Sequence, residues 1–252
     1  MSAPAVTLIT ICWNAEKTLS RTLDSVLAQE VVPAEYRVVD GGSTDGTLSL
    51  LEEYRPRFQE RGIPLIVEPQ KRVPGEAGIP NAWNQALRGA QGEVIGLLNA
   101  DDWYEPTLLS RVCEAFGADP ALGAVSVPVS MDHPEPGKSW VFHPQPLSRL
   151  PWKMPVPHPG TFFRRSVYES VGLYDATLRI AADYDFVWRC RIHGVKWRYL
   201  PEPAGVHMQL GGLANSSRAL ARRETYRTAR KHGSFWNPIP ALALLLRILL
   251  GR

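Results

Sequence analysis

The sequence has few cysteines and lacks any long apolar run. Its three cysteines, Cys12, Cys113 and Cys190, lie far apart in apolar contexts, which excludes an even disulfide set and a cysteine-rich metal cluster. We therefore expect buried thiols in a reducing compartment. No apolar segment reaches the roughly 20 residues that a membrane-spanning helix needs. Residues 1–4 contain no basic side chain, and we expect no signal peptide.

Two common nucleotide-binding loops are also absent: the GxGxxG fingerprint and the lysine-containing P-loop. The chain does have material for a core, since 44% of its 252 residues are hydrophobic, which fits one large α/β domain. After Leu213 eight Lys or Arg accompany one acid, whereas the rest of the chain has 20 basic and 24 acidic residues. The body is thus mildly acidic and the tail basic, and we expect no nucleic-acid partner.

Hydrophobic periodicity predicts four strand–helix pairs in the first half of the chain. The predicted strands are Val6–Cys12, Arg37–Asp40, Leu65–Glu68 and a run that begins at Val94. Apolar residues recur at helical spacing after each of them. This alternation favours a parallel sheet joined by right-handed crossovers.

From Leu122 the pattern changes. Two predicted strands, Leu122–Met131 and Ser139–His143, flank a turn-rich segment, and five prolines in the next fifteen residues exclude regular structure there. The later predicted elements are helices at Arg165–Val171 and Asp183–His193, a strand at Val195–Leu200 and a basic helix at Ser216–His232.

The run that begins at Val94 ends in two adjacent acids. Its apolar residues predict a short buried strand, which is followed by Asn99, Ala100, Asp101 and Asp102. Open α/β sheets bind ligands at this end of their strands. Adjacent carboxylates repel unless a cation lies beside them, and such oxygen ligands suit Mg²⁺ or Mn²⁺ that also binds a phosphate. The alternative is a loop of solvated acids that caps the next helix.

The segment Asp40–Gly46, DGGSTDG, also follows a strand and opens a helix. Its glycines let the backbone pass close to a ligand, and Asp40 can accept hydrogen bonds from a base or a ribose hydroxyl. Alone, the segment would be an ordinary helix-capping turn. It gains weight because a second strand that ends in acids, the run from Val94, follows in the same alternating series.

Together these motifs resemble the family 2 glycosyltransferases with the GT-A fold. The resemblance is carried, in the family's order and spacing, by Val6–Glu16, Val38–Thr47, Ala82–Asp102, His158–Asp185 and Gly211–Gly212. It implies an α/β fold of the GT-A type, with a mostly parallel nucleotide-binding sheet, helices on both faces and a mixed acceptor-side region, to which the composition of the last residues adds a C-terminal amphipathic helix. It also implies one domain over residues 1–232, with a nucleotide-sugar-binding half (1–120) and an acceptor-side half (121–232), and then a tail (233–252).

Enzymes of this family transfer a sugar from a nucleoside diphosphate donor to an acceptor hydroxyl with inversion, using a divalent metal. By resemblance we expect a UDP-, dTDP- or GDP-sugar donor and Mn²⁺ or Mg²⁺ as cofactor. The expected acceptor is a glycan or a lipid-linked precursor of cell-surface polysaccharide.

The resemblance also assigns roles on the donor side. Thr10 and Asn14 border the nucleoside pocket, and Asp40 reads the base. Asp101 faces ribose or sugar hydroxyls, whereas Asp102 holds the metal.

Four further residues have both a functional and an ordinary interpretation. Arg72 follows the third strand and can meet the diphosphate or the base, or it is a solvated loop charge. His207 can contact the metal or the diphosphate, although a lone histidine is usually structural. His158 and Trp152 are candidates for lining an acceptor channel, or they belong to the core.

The resemblance makes Asp183 the base that takes the acceptor proton. The chain has Ala182 where the family commonly has a glutamate, which affects acceptor handling rather than the base. Asp183 can alternatively be only an N-cap, and Asp185 a first-turn acid. Asn81 replaces an aspartate of many relatives, so we expect the donor-side pocket to differ.

The last residues, 235–252, combine an aromatic pair, Phe235 and Trp236, with an apolar run interrupted by Arg247. This composition fits an interfacial anchor, and we expect peripheral contact with the cytoplasmic face of the membrane. The alternative is a helix that packs on the body or on a partner subunit, so an oligomer is compatible with the sequence.

Two other functions share some of these features. A nucleotidyltransferase also joins an α/β sheet to paired carboxylates, but it is expected to have a Gly- and Lys-rich loop after its first strand, and Trp13–Glu16 has no glycine. A non-catalytic nucleotide-sugar-binding scaffold subunit is favoured only by Ala182.

Overall fold

The computed structural model describes residues 3–135, 137–210, 218–233 and 249. Gly211–Gly212 and, apart from Leu249, the tail 235–252 lie outside the described residues. Within the described ranges no helix is both long enough and apolar enough to cross a membrane.

The first half of the chain alternates strands and helices as predicted. The elements are β1 (Val6–Cys12), α1 (Leu19–Leu27), β2 (Glu35–Asp40), α2 (Thr47–Glu60), β3 (Leu65–Pro69), α3 (Gly78–Gly89), β4 (Val94–Leu97), β5 (Trp103–Tyr104) and α4 (Leu108–Ala118). β1 matches its prediction residue for residue, because almost all of its side chains are buried and it therefore reads as a continuous apolar, β-branched run.

The second half contains shorter elements. They are β6 (Ala124–Ser126), β7 (Val129–Asp132), β8 (Trp140–Phe142), β9 (Thr161–Arg164), α5 (Arg165–Val171), α6 (Ala182–Ile192), β10 (Trp197–Tyr199), β11 (Val206–Gln209) and α7 (Arg218–Gly233), with a 3₁₀ turn at Leu147–Arg149. The helix predicted at Arg165–Val171 is confirmed at both ends.

The single strand predicted at Leu122–Met131 is wrong. The segment forms two strands, β6 and β7, which belong to different sheets. Pro128, between them, has no N–H to give to a ladder, and the N–H of Val127 donates to the carbonyl of Gly160 at 2.9 Å. The chain therefore leaves the first sheet at the proline.

Seven strands form the main sheet in the order β10-β6-β9-β4-β1-β2-β3. All neighbouring pairs are parallel except those of β9, which runs antiparallel to both β4 and β6. Leu8 and Ile9 are consecutive on β1 and belong to two different buried apolar clusters, so a core lies on each face of the sheet. The mostly parallel α/β sheet with helices on both faces is thus confirmed.

A second sheet of four strands has the order β5-β11-β7-β8. β11 pairs in parallel with β7 and antiparallel with β5, where His207 lies opposite Trp103. The sequence pattern does not predict β5 or β11, because strands of two and four residues are too short to show a period. This sheet brings β11 next to the chain that follows β4.

α7 packs against α6 in the second half of the chain. Ala229 of α7 belongs to a small buried cluster with Tyr184 and Trp188 of α6. The basic helix is therefore part of the folded body.

Candidate active site

The predicted site residues converge on one edge of the main sheet. β1, β2 and β4 are adjacent and parallel, with Cys12 opposite Asp40 and Ile9 opposite Leu97. Their carboxyl ends, and the polar loops that follow them, therefore lie at the same edge. Because β9 runs antiparallel to β4, the residues just before Thr161 come to this edge as well.

Asp40 closes the loop that follows β2. Its carboxylate accepts hydrogen bonds from the N–H of Gly42 (2.9 Å), the N–H of Ser43 (3.0 Å) and the hydroxyl of Ser43 (2.5 Å). Only 4% of Asp40 is exposed, and the N-terminal residue that flanks α2 is Gly46. Asp40 thus closes the loop and does not cap the helix. A nucleobase bound here would meet a carboxylate that these hydrogen bonds already orient.

Asn14 joins the loop after β1 to the loop after β2. Its N–H donates to the hydroxyl of Ser43, and its side-chain oxygen accepts the N–H of Thr44, both at 2.8 Å. Asn14 has a positive φ of 50°, which asparagine tolerates better than most residues. The two loops form one hydrogen-bonded rim, and Asn14 lies on its exposed side.

Thr10 and Trp13 differ in what they can contact. Thr10 is fully buried, and its hydroxyl accepts a hydrogen bond from the hydroxyl of Tyr36 at 2.7 Å, so its side chain supports the rim from the core. Trp13, which no motif singles out, is 67% exposed directly beside Asn14. An exposed indole at this edge is a flat apolar surface on which a base can stack. The sequence signal was an aromatic residue immediately after a buried strand.

Arg72 is tied to the loop of Asp40. Its guanidinium donates to the carbonyl of Gly41 at 2.9 Å, and the N–H of Gln70 donates to the carbonyl of Asp40 at 2.7 Å. A cavity of about 240 Å³ adjoins these residues. It is lined by Gln70, Arg72, Val73, Pro74, Glu76, Gly78 and Asn81. Arg72 is exposed, yet its guanidinium is held beside the loop of Asp40, where a nucleobase is expected to bind.

Asn81 in place of an aspartate has a structural reason. Its amide donates to the carboxylate of Glu76 at 2.7 Å, while its carbonyl oxygen accepts from the amide of Gln70 at 2.8 Å. An aspartate would have no N–H for Glu76 and would place two carboxylates in contact. Asn81 therefore fits its two hydrogen-bond partners in the cavity beside Arg72.

Asp102 is anchored by the second sheet. Its carboxylate accepts the side-chain N–H of Asn99 at 2.8 Å and the backbone N–H of Gln209 in β11 at 3.1 Å. Burial, together with the charge of Asp101, raises the pKa of Asp102 to about 7. Burial also raises the pKa of Asp101. Asp102 is 1% exposed and Asp101 is the more accessible, so the division of metal and donor contacts between them stays a prediction.

The acid pair fits a divalent cation. A cation offsets the cost of charging two neighbouring carboxylates, one of which is buried, and hard oxygen ligands suit Mg²⁺ or Mn²⁺. Across the described residues no group of three or more His, Cys, Asp or Glu side chains is arranged to hold a metal. Magnesium sites often use one or two carboxylates and complete their shell with substrate phosphates and water, which is the arrangement that Asp101 and Asp102 allow.

His207 has both ring nitrogens engaged. They lie 2.8 Å from a carboxylate oxygen of Asp132 and 2.8 Å from one of Glu105. The ring also stacks on Trp103 at 4.9 Å between centroids, and the guanidinium of Arg21 lies over the same indole. This environment matches the structural interpretation, and a metal or phosphate contact would require one of the two hydrogen bonds to break.

Asp183 is not the N-cap of α6. That position is Ala181, and Asp183 is the second helical residue, where one of its oxygens accepts the N–H of Tyr184 at 2.7 Å. No side chain among the described residues donates a hydrogen bond to this carboxylate, and Asp183 is partly exposed. Burial raises the pKa of Asp183 to about 6. Ala182, in the place of the common glutamate, is 1% exposed and packs in the apolar core.

His158 packs in an aromatic cluster with Trp83 and Tyr174, and the charge of Asp183 acts on Tyr174. Its ring packs on Trp83 at 4.5 Å and lies 3.3 Å, through Nε2, from the hydroxyl of Tyr174. Burial lowers the pKa of His158 to about 4, which keeps the ring neutral. Asn84 holds the backbone of Tyr174 by two hydrogen bonds of 2.9 and 3.0 Å.

Trp152 is 42% exposed and stays a candidate for the acceptor side.

A model of the family described as glycosyl transferase family 2 matches residues 7–172. The PGL/p-HBAD biosynthesis glycosyltransferase of Mycobacterium tuberculosis is 31% identical over 218 residues, which cover 86% of this chain and 81% of the relative. This protein is a family 2 glycosyltransferase. The membership favours sugar transfer over the nucleotidyltransferase alternative.

Solved structures share the fold of this glycosyltransferase. Residues 1–349 of S. aureus TarS, in complex with UDP-GlcNAc, align with a TM-score of 0.70 at 20% identity over 98% of this chain and 73% of that one. The mannosyltransferase PcManGT from Pyrobaculum calidifontis, in complex with GDP-Man and Mn²⁺, aligns with a TM-score of 0.68 at 20% identity over 100% and 76%. The chain spans 43% of a longer TarS chain. These likenesses confirm the GT-A-type fold.

Proposed function

We propose that this glycosyltransferase is an inverting, metal-dependent enzyme that uses Asp183 as its general base. The observation that carries the proposal is the state of Asp183. One oxygen is held by its own helix, no side chain among the described residues donates to the carboxylate, and the pKa of about 6 suits a base that works near neutral pH.

In the proposed reaction the acceptor hydroxyl gives its proton to Asp183 and its oxygen attacks the anomeric carbon of the donor. The bond between that carbon and the diphosphate oxygen breaks with its electron pair, and the nucleoside diphosphate leaves from the opposite face. The rim of Asn14 and Asp40 orients the nucleoside, with Trp13 against the base. A divalent cation held by Asp102 would neutralise charge on the leaving diphosphate, with Asp101 toward the ribose or sugar hydroxyls.

The donor class is supported by the neighbours, whose structures contain UDP-GlcNAc or GDP-Man. The test incubates the full chain with UDP-, dTDP- and GDP-sugars and Mn²⁺ and follows the release of nucleoside diphosphate. We expect release with one of them, loss of release in EDTA, recovery with Mn²⁺, and an inverted anomer when NMR reads the sugar before mutarotation. Release in EDTA at the full rate would overturn the metal requirement, and a retained anomer would overturn inversion.

We place the acceptor among lipid-linked or cell-surface glycans at the cytoplasmic face of the membrane. The mycobacterial relative is named for PGL/p-HBAD biosynthesis. In α7, Arg223, Arg227 and Arg230 are exposed at helical spacing and form no ion pair with described residues. Such a row of cations attracts anionic lipid.

Liposome flotation tests the membrane contact. Full-length protein should float with vesicles that contain phosphatidylglycerol and less with neutral vesicles. A chain without residues 235–252 should lose most of this binding, and a variant with serine at the three arginines should lose its salt sensitivity. Equal flotation of all three proteins would contradict the proposal.

A further inference from the structure

Glu224 of α7 binds the backbone that leads into α6. It is the one acid in the chain after Leu213, and it is only 7% exposed. Its Oε1 accepts the N–H of Arg179 at 3.0 Å, and its Oε2 accepts those of Ile180 at 2.8 Å and Ala181 at 2.9 Å. One carboxylate thus collects three consecutive backbone amides immediately before the helix of Asp183.

Consecutive amides at a helix start form a concave site for an anion, and they are costly to bury without partners. A side-chain cap at the N-cap position would accept amides inside the first turn, and Ala181 forms none. Glu224, from another helix, instead binds the N–H of Ala181 and those of the two residues before it. The segment that leads into the first turn of α6, which contains Asp183, is therefore held by α7.

A second contact fixes α7 along α6. Asp185, 1% exposed, lies 2.7 Å from Nε2 of His232 and accepts Nε of Arg189 at 2.8 Å. Burial alone would raise the pKa of Asp185, but these two hydrogen bonds lower it. α7 therefore contacts both the approach to α6 and its first turns.

The segment before α6 is also fastened at its other end. The N–H of Ala77, before α3, donates to the carbonyl of Ala176 at 2.7 Å. Between this contact and the helix, Glu224 holds three amides. Its removal would free the stretch that sets where α6 begins, and with it the direction of the Asp183 carboxylate.

We propose that Glu224 is a positioning residue that holds Asp183 in place for proton removal. The inference rests on the proposed function of Asp183 and extends it to a helix outside the matched family segment, residues 7–172. Misplacing a catalytic group by about 1 Å can cost about 100-fold in rate. Loss of Glu224 should therefore lower kcat while leaving donor binding intact.

The test compares Glu224→Gln with a matched control, Glu35→Gln. Glutamine keeps the size of Glu224 but turns one acceptor oxygen into a donor that faces amide N–H groups. Glu35 is also buried, at 6% exposure, and accepts the hydroxyl of Thr7 at 2.7 Å and the N–H of Gln91 at 2.6 Å. It lies at the first residue of β2, at the opposite end of that strand from Asp40. Each variant is measured for kcat, donor Kd and Tm.

We expect Glu224→Gln to lower kcat by about 10- to 100-fold with donor Kd within about twofold of the parent. Glu35→Gln should lower Tm but keep kcat. In the background of Asp183→Asn, Glu224→Gln should have no further effect on the residual rate, because the residue acts through Asp183.

Three results would overturn the proposal. If Asp183→Asn is inactive and Glu224→Gln keeps full kcat, the positioning role fails and the base assignment stands. If Asp183→Asn keeps full activity, the base assignment itself fails and the positioning role falls with it. If Glu35→Gln loses as much kcat as Glu224→Gln at an equal loss of Tm, the effect is general destabilisation.

Discussion

The donor-side rim and the start of α6 are held by different kinds of contact. On the donor side, the loops after β1 and β2 hydrogen-bond to each other across strands that are neighbours in the sheet, as Asn14 does to Ser43 and Thr44. At the start of α6, the amides before Asp183 are held by Glu224, more than forty residues later. In the proposed reaction, donor binding and proton removal therefore depend on separate parts of the fold, and variants should affect them separately.

The largest expected effect on the donor side is that of Asp102→Asn. Removing a carboxylate from the proposed cation site should weaken Mn²⁺-dependent binding of nucleoside diphosphate by about 100-fold, since even residues behind metal ligands cost 10- to 100-fold. Titration calorimetry with and without Mn²⁺ measures it, and Asp24→Asn, an exposed acid of α1, is the control. Unchanged Mn²⁺ dependence in Asp102→Asn would contradict the cation site.

The acidic limb of the pH–rate profile tests the other region, the start of α6 with Asp183. Asp183 must be ionised to accept a proton, and its pKa is raised to about 6. At saturating donor and Mn²⁺, kcat should be full well above pH 6 and should fall about tenfold per unit below it. The donor Kd measured at the same pH values separates this loss from weaker binding. A kcat that is constant between pH 5 and 7 would contradict the role of Asp183 as base.

A smaller effect is expected for Asn81→Asp. The aspartate would face Glu76 without an N–H to donate, and an unsatisfied contact of this kind costs about 1 kcal/mol at a partly exposed site. Donor affinity should fall about fivefold. The second change Glu76→Gln should restore it, because the new amide can donate to the aspartate. Equal affinity in the parent, the single variant and the double variant would show that this cavity does not bind the donor.

Local patterns predicted the donor side well. The strands β1 to β4 are buried runs followed by helical stripes, so their ends, and hence Asp40, Asp101 and Asp102, could be placed at one edge from the sequence. The same reasoning failed where pairing is non-local: β9 inserts antiparallel into the sheet, and β11 brings the N–H of Gln209 to Asp102.

The acceptor side could be predicted only in part. The position of Asp183 follows from the family resemblance, whereas its dependence on Glu224 requires the packing of α7 on α6. A signal was nevertheless present in the sequence, because Glu224 is the one acid in a basic segment. A lone acid among basic residues can form a solvent-exposed ion pair or can bind buried backbone amides. Only its burial distinguishes the two.

Parallel measurement of donor Kd and kcat in Asp183→Asn tests the central claim most directly. Because the donor-side rim is built without α6, the variant should bind donor and Mn²⁺ within about twofold of the parent. Its kcat should fall by about 1000-fold, within the range that a positioned base contributes. Undiminished kcat, or a donor Kd that weakens as much as kcat falls, would contradict the separation of donor binding from proton removal.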